Sequence, residues 1–212
     1  MKTKLVSFYK NDLDPTIASL QKEAFSRLNL ELHQVGFNGT HGQGINDYLD
    51  SAEFDRIVIF DVDCIPLTTE PILLAEKIVN NKRIYGNAQV SNSFPYAAPS
   101  FISFTKELYE TSTHKRFEGQ FYPNPEGESV EADCGEVFVK ENMKRGIEVV
   151  LSYPTSCPEV IWSYQGSGTY PQFKYGNATL FDNNTYHQFQ IRFKEQQENF
   201  IKYVQTLLSR DS

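Results

Sequence analysis

Two carboxylates, one residue apart, end the most continuously apolar stretch of the sequence. Asp61 and Asp63 directly follow the run from Arg56 to Phe60, which holds four consecutive β-branched or aromatic residues. Such a run predicts a strand covered on both faces, as in the middle of a parallel sheet. Ligands of open α/β sheets bind beyond the carboxyl ends of the strands, and hard carboxylate oxygens suit Mg²⁺ or Mn²⁺. We therefore expect Asp61 and Asp63 to bind a divalent metal ion.

The same spacing occurs at Asp12 and Asp14, where the context differs. Asp14 precedes Pro15 and a helical pattern, which predicts an N-cap followed by proline at the first helical position. Asp61 and Asp63 instead close a buried strand, where two ionised groups need a cation or strong hydrogen-bond donors. The alternative for this pair is a solvated turn before Pro66.

The composition limits the class of protein and partner. The 212 residues, 40% of them hydrophobic, are enough to bury the core of a single domain. The 20 basic and 27 acidic residues give a net charge of −7, without the basic stripe that nucleic-acid binding requires. We therefore expect no nucleic-acid partner. A bound divalent ion would still allow an anionic small molecule to bind.

The sequence indicates a cytoplasmic protein. The apolar stretch near Met1 is too short for a secretion signal, and no transmembrane segment is expected, because no later run is long enough to cross a bilayer. The cysteines Cys64, Cys134 and Cys157 are odd in number and lack a close pairing, as is typical of free thiols in a reducing compartment.

Strands and helices alternate in the first half of the chain. We expect strands at Leu5 to Lys10, Leu32 to Phe37 and Arg56 to Phe60, with helices at Pro15 to Leu28 and through Ile45 and Leu49. This alternation predicts a parallel sheet with right-handed crossovers. The segment from Asn38 to Gly44 is predicted to be a flexible glycine-rich turn.

The second half is less regular. After a helix that starts near Thr69 and a strand at Arg83 to Gly86, residues 87–125 are rich in Pro, Ser, Asn and aromatic residues. They contain a strand-like piece at Phe101 to Phe104 and a helix through Leu108, and we expect most of this segment to be a binding loop or lid. The later predicted elements are a helix from Asp133 to Arg145 that ends at Gly146, strands at Ile147 to Leu151 and Ala178 to Phe181, and an amphipathic helix from Phe193 to Leu208.

The motif Asp61-Val62-Asp63 after two strand and helix units resembles the glycosyltransferases of the GT-A fold, which bind sugar nucleotides through a metal held by Asp-x-Asp. The resemblance implies one α/β domain over residues 1–212, with a Rossmann-like, mostly parallel central sheet flanked by helices. Residues 1–67 would form the nucleotide- and metal-binding half, and residues 68–212 a variable acceptor-side half with the C-terminal helix. It also implies a Mn²⁺ (or Mg²⁺) cofactor, a nucleoside-diphosphate sugar donor with a UDP-sugar as the first candidate, and a saccharide or other hydroxyl acceptor.

The same resemblance implies which residues contact the sugar nucleotide, namely Phe8, Tyr9, His41, Gly42, Gly44, Asp61 and Val62. Phe8 and Tyr9 end the first strand, where a ring can stack on a nucleobase, Tyr9 being the first choice. Aromatic residues are also ordinary in strands. Gly42 and Gly44 resemble a loop that lies on the nucleotide in some members, and His41 in this loop would touch phosphate.

His187 resembles the histidine that several families of this fold return to the metal as a third protein ligand. It follows the predicted strand at Ala178 to Phe181 and precedes the last helix, which is the corresponding place in chain order. The alternative is an imidazole that hydrogen-bonds a backbone carbonyl at a helix start.

Asp133 and Glu136 are candidate catalytic residues, because similar glycosyltransferases carry a catalytic or acceptor-binding carboxylate at about this point. An inverting enzyme needs a carboxylate that takes the proton of the acceptor hydroxyl, and Asp133 is the first choice. The alternative is structural, with Asp133 as the helix cap and Glu136 in the capping-box position.

Two other functions stay open. The stretch from Ile59 to Asp63 is also similar to the first motif of haloacid-dehalogenase-type phosphatases, in which Asp61 would be the nucleophile and Asp63 the acid. Two predicted strands before the motif, and Cys64-Ile65 in place of Gly-Thr after it, count against this similarity. A GT-A-like domain that binds nucleotide or saccharide without catalysis is the other alternative, since a fold does not fix an activity.

Overall fold

A six-stranded sheet forms the centre of the computed structural model, which describes residues 2–90, 94–119, 121–123, 127–158, 162–164 and 173–210. In chain order, the strands and helices are β1 (Thr3–Lys10), α1 (Pro15–Ser26), β2 (Leu32–Phe37), α2 (His41–Ser51), β3 (Arg56–Asp61), β4 (Cys64–Pro66), α3 (Glu70–Ile78), β5 (Arg83–Val90), β6 (Pro95–Thr105), α4 (Lys106–Thr111), β7 (Phe121–Pro123), β8 (Ser129–Glu131), α5 (Glu136–Lys144), β9 (Glu148–Ser152), β10 (Pro154–Ser156), β11 (Trp162–Tyr164), β12 (Phe173–Tyr175), β13 (Ala178–Phe181), β14 (Thr185–Gln188) and α6 (Lys194–Ser209).

The strand order of the central sheet is β2-β1-β3-β6-β5-β9. β1 pairs in parallel with β2 and β3, and β5 pairs in parallel with β9, whereas β6 is antiparallel to both of its neighbours. Residues of α2 and α5 pack on one face of the sheet, and residues of α1 and α3 pack on the other. The mixed α/β fold with a mostly parallel central sheet flanked by helices is therefore confirmed.

β3 lies in the interior of this sheet and is covered on both faces, as its unbroken apolar run predicts. Ile57 and Ile59 belong to the cluster on the α2 and α5 face. Val58 and Phe60 belong to the cluster on the α1 and α3 face. All four are fully buried, so the position of Asp61 at the end of the strand is fixed by packing on both sides.

The predicted binding loop or lid was wrong over residues 95–100. These residues and the predicted strand piece at Phe101 to Phe104 belong to one long strand, β6 (Pro95–Thr105). Every residue of β6 is buried, and β6 lies between β3 and β5. Its sequence mixes small, polar and aromatic residues without alternation, because both faces of the strand are covered. The buried hydroxyl of Ser103 donates a hydrogen bond to the carbonyl of Ile57 at 2.8 Å. β5 likewise extends to Val90. Residues 91–93, 120, 124 and 125 of the predicted segment lie outside the described residues.

The glycine-rich segment forms a helix where a flexible turn was predicted. α2 begins at His41, and the Thr40 side chain accepts a hydrogen bond from the Gln43 amide as N-cap. Gly42 and Gly44 are therefore helical and buried. A Cβ at position 42 would lie 2.5 Å from the carbonyl oxygen of Phe117, and one at position 44 would lie 2.7 Å from the ring of Phe37. These glycines allow close packing of the helix, which overrides their preference for turns.

Two helix starts also differ from the predictions. α5 begins at Glu136, because Gly135 adopts the left-handed conformation with φ of 74° and separates Asp133 from the helix. The C-terminal helix is present as α6, with Phe200 and Val204 buried. Phe193 is its N-cap and remains 50% exposed, so it does not belong to the buried face.

No helix in the described ranges is both long enough and apolar enough to cross a membrane.

The packing of Gly42 predicts the result of its replacement. In an exposed helix, Gly→Ala raises stability by about 1 kcal/mol. We expect Gly42→Ala instead to lower the free energy of unfolding by about 1–3 kcal/mol, because the new methyl group would overlap backbone atoms of Phe117 and Glu118. Denaturant unfolding measures this change. Asp47→Ala, at an exposed position of the same helix, is the control with little expected change, and a Gly42→Ala variant more stable than wild type would contradict the packing described here.

Candidate metal centre

The turn after β3 brings Asp63 beside a strand from the far end of the chain. β4 follows the turn and pairs with β14, with Cys64 opposite His187. The amide of Gln188 donates to the carbonyl oxygen of Asp63 at 2.9 Å. The backbone of β14 therefore fixes His187 next to the two carboxylates.

Three side chains converge at this point. His187 Nε2 lies 3.4 Å from Asp63 Oδ1 and 3.9 Å from Asp61 Oδ2, and one ligand atom from each residue lies within 4.8 Å of the other two. Two ligand atoms that each bind an ion at about 2.1 Å are typically about 3 Å apart. The spacing therefore fits a single divalent ion after small side-chain movements.

The burial and charge of the site also fit a cation. The side chains of Asp63 and His187 are 6% and 4% exposed, and that of Asp61 is 25% exposed. Burial raises the pKa of the Asp61 carboxyl; His41 and His187 lower it, whereas Asp63 and Asp133 raise it further. Asp61 Oδ1 is a buried oxygen without a hydrogen-bond partner in the described part of the chain, which is uncommon in proteins. Asp61, Asp63 and His187 could thus hold a divalent metal ion.

His41 approaches the same carboxylate from α2. Its Nε2 lies 3.1 Å from Asp61 Oδ1, and its ring stacks on Phe37 with a centroid distance of 5.7 Å. Asp61 therefore lies between two imidazoles. The predicted contact of His41 with phosphate stays a prediction, while its contact with the candidate metal ligand Asp61 was not foreseen.

A cleft of about 650 Å³ opens above this centre. Most of the predicted site residues line it together, namely Phe8, Tyr9, His41, Asp61, Val62, Asp63, Asp133 and His187. Gly42, Gly44 and Glu136 do not belong to its wall. The ring of Phe8 is only 2% exposed and packs against Tyr48 and His41, whereas Tyr9 is partly buried, so Tyr9 offers more of its ring to a ligand.

Asp133 belongs to the cleft wall and accepts three hydrogen bonds. Its Oδ2 accepts from Gln89 Nε2 at 2.6 Å and from the Tyr96 hydroxyl at 3.0 Å, and its Oδ1 accepts from the Cys134 amide at 2.8 Å. Burial, and next the charge of Asp133, raise the pKa of Tyr96 well above its ordinary value, so the hydroxyl is protonated and donates. Gln89 and Tyr96 were not among the predicted site residues.

The structural alternative for this segment is found only in part, because Glu136 binds the backbone of Asp133 but is the first residue of α5 and does not lie in a capping-box position. Its Oε2 accepts from the backbone amide of Asp133 at 2.9 Å, and its side chain is fully buried. Asp133 itself does not cap α5, because the N-cap is Gly135. Glu136 thus supports the backbone that carries Asp133.

No known protein family and no curated protein match this sequence. Among solved structures, the chain is similar to A197 from STIV, with 10% identity over 89% of this chain and 94% of that one, and a TM-score of 0.46. It is also similar to a putative glucose-1-phosphate thymidylyltransferase from Bacillus anthracis in complex with a sucrose, with 11% identity over 71% and 86% of the two chains and a TM-score of 0.42. HddC from Yersinia pseudotuberculosis is similar with 11% identity over 68% and 100% of the chains and a TM-score of 0.37. At this level of identity and TM-score, the similarities carry no functional argument.

The imidazole at the centre predicts a metal preference. We expect the wild type to bind Mn²⁺ more tightly than Mg²⁺, and His187→Ala to weaken Mn²⁺ binding by roughly tenfold or more, because one of three ligands is lost. Isothermal titration calorimetry of the metal-free protein measures both affinities. His33→Ala, at an exposed histidine outside the cleft wall, is the matched control. Equal Mn²⁺ affinities of wild type and His187→Ala would remove His187 from the metal centre.

The raised pKa of Asp61 predicts a gain of stability when its charge is removed. A carboxyl whose pKa is higher in the folded than in the unfolded state destabilises the fold once it ionises, so stability falls as pH rises through the folded pKa. We therefore expect metal-free Asp61→Asn to melt at a higher temperature than wild type at neutral pH. The difference should shrink below the unfolded pKa of about 3.9, where both side chains are neutral. Thermal unfolding in EDTA tests this, and a lower melting temperature for the variant at neutral pH would contradict the assignment.

Proposed function

We propose that the protein is a metal-dependent glycosyltransferase that transfers a sugar from a nucleoside-diphosphate sugar to an acceptor hydroxyl. The observation that carries the proposal is the convergence of Asp61, Asp63 and His187 in one cleft that Asp133 also lines. Two carboxylates and an imidazole suit a divalent ion next to a diphosphate, and a further carboxylate suits an acceptor hydroxyl.

The donor side of the proposal rests on residues 1–67 together with His187. Asp61, Asp63 and His187 would hold Mn²⁺ (or Mg²⁺), which when bound stabilises the negative charge of the leaving diphosphate. Tyr9, Phe8, His41 and Val62 belong to the same cleft wall, and this supports contacts with the nucleotide, a UDP-sugar being the first candidate. Gly42 and Gly44 would act indirectly, by letting α2 pack closely enough to place His41.

The acceptor side rests on residues 68–212. Asp133 would take the proton of the acceptor hydroxyl in an inverting reaction, or hold a sugar hydroxyl through a hydrogen bond. Glu136 would contribute through the backbone of Asp133, which it binds. We place this reaction in the cytoplasm, a proposal that the free thiols of Cys64 and Cys134 support.

Thermal unfolding with a panel of nucleoside diphosphates, each with and without Mn²⁺, tests the donor site. A ligand at 100 times its Kd adds about 2.7 kcal/mol of stability, so we expect one nucleotide, UDP first, to raise the melting temperature in the presence of Mn²⁺. Asp63→Ala should lose this increase because it removes a metal ligand. Asp47→Ala, an exposed acid of α2, should keep it.

The other outcomes of this experiment point to the two other functions. No increase with any nucleotide, together with Mg²⁺-dependent cleavage of a phosphate ester, would replace the proposal with a phosphatase. A Mn²⁺-dependent increase without sugar transfer or donor hydrolysis would indicate a domain that binds sugar nucleotides without catalysis. Sugar transfer or donor hydrolysis that occurs in the wild type and is lost in Asp63→Ala would support the transferase.

A further inference from the structure

The side chain of Asp133 is held by two strands as well as by its own loop. Gln89 of β5 and Tyr96 of β6 both donate to Oδ2, and the Cys134 amide donates to Oδ1. The backbone amide of Asp133 is also fixed, because it donates to the fully buried Glu136. Both the main chain and the carboxylate of Asp133 therefore have defined positions without any ligand.

An irregularity in the sheet brings the two donors together. The pairing of β5 with β6 shifts register between Gly86 and Ala88, and beyond this shift Gln89 lies directly opposite Tyr96. Directly opposite residues of an antiparallel pair have adjacent side chains, and such irregularities often redirect side chains next to active sites. Pro99, within the shifted stretch of β6, also lines the cleft.

The number of hydrogen bonds limits what Asp133 can still accept. An ionised carboxylate offers about four acceptor positions, and three of them bind Gln89, Tyr96 and Cys134. We propose that Gln89 and Tyr96 are positioning residues that turn Asp133 so that one acceptor position on Oδ1 is left for a single substrate hydroxyl. This inference rests on the proposed function, and it assigns that cleft a subsite for one hydroxyl group held by one carboxylate.

A purely structural role for these contacts makes a different prediction. Tyr96 is fully buried in the hydrophobic cluster on the α2 and α5 face of the sheet. A buried hydroxyl needs a hydrogen-bond partner whatever its role. If satisfying Tyr96 were the only role, loss of its hydroxyl would change stability without a specific change of turnover. If Tyr96 acts through Asp133, its effect on turnover must disappear when Asp133 is already altered.

The experiment compares Tyr96→Phe and Gln89→Met in the wild type and in Asp133→Asn. UDP-glucose with Mn²⁺ serves as the probe donor, and released UDP gives kcat and KM. We expect each variant to lower kcat by about tenfold, with KM and the Mn²⁺-dependent increase in melting temperature by UDP unchanged, because a displaced carboxylate affects the reacting hydroxyl and not the metal centre. In Asp133→Asn, the same substitutions should have no further effect on kcat. Tyr85→Phe is the control without an effect on kcat. Tyr85 is a buried tyrosine of β5 in the hydrophobic cluster on the α1 and α3 face of the sheet.

Thermal unfolding of the same variants forms a second cycle that does not depend on activity. We expect the stability changes of Tyr96→Phe and Asp133→Asn to be non-additive, since the two groups share a hydrogen bond. Additive stability changes, or an undiminished loss of kcat by Tyr96→Phe in Asp133→Asn, would overturn the inference. Failure of UDP to bind with Mn²⁺ would instead overturn the proposed function, and the unfolding cycle would then decide alone whether Tyr96 fixes Asp133.

Discussion

Two carboxylates at the end of a buried strand repel each other unless positive charge lies close to both of them. Asp61 and Asp63 are in this situation, because β3 is buried on both faces and carries them to the edge of the sheet. Two histidines lie close to them and lower the pKa of Asp61, with His41 Nε2 near Asp61 Oδ1 and His187 Nε2 near Asp63 Oδ1 and Asp61 Oδ2. The course of the chain after residue 61 can be understood as a way of meeting this constraint. β4 turns away from the sheet and pairs with β14, and this pairing brings His187 back to the centre from more than a hundred residues away in the sequence.

The antiparallel strand β6 connects the metal centre with Asp133. Because β6 runs opposite to β3 and β5, its first residues lie at the edge where those two strands end. Tyr96 near the start of β6 and Gln89 near the end of β5 therefore lie at the same edge as Asp61. A parallel strand in this position would place its carboxyl end there and would need a crossover connection. The one reversed strand thus allows a carboxylate that precedes α5 to share a cleft with two carboxylates that follow β3.

The parts of this structure that follow from local sequence were predictable, and the parts that depend on long-range packing were not. The run before Asp61 indicated a doubly covered strand, and β1 to β3 follow the predicted alternation with helices. The grouping of His187 with Asp61 and Asp63 was expected only from the resemblance to the GT-A fold, because no local pattern around His187 reports it. Only the piece of β6 at Phe101 to Phe104 was predicted, and the residues before it were missed because a strand buried on both faces shows no alternation. Gly42 and Gly44 were assigned to a turn because glycine favours turns. In the structure they lie in a helix, where Gly42 contacts the backbone near Phe117 and Gly44 contacts the side chain of Phe37. The partners of Asp133 depend on a register shift between two strands, which no local pattern reports.

The unsatisfied polar atoms of the cleft provide a separate argument that this region is selected for binding rather than for stability. Asp61 Oδ1, His41 Nε2 and His187 Nδ1 are buried and lack hydrogen-bond partners in the described part of the chain. Asp61 Oδ1 and His41 Nε2 are only 3.1 Å apart, yet their relative orientation is not that of a hydrogen bond. A site that served the fold alone would be more stable with apolar side chains of similar volume at these positions. Local departures from the rules of stable packing are expected where a protein binds or reacts, and these three lie around the carboxylate whose burial raises its pKa. The packing of β3 on both faces makes this arrangement tolerable, because the strand that carries Asp61 is held in place by its four buried apolar residues whether or not the charge at its end is compensated.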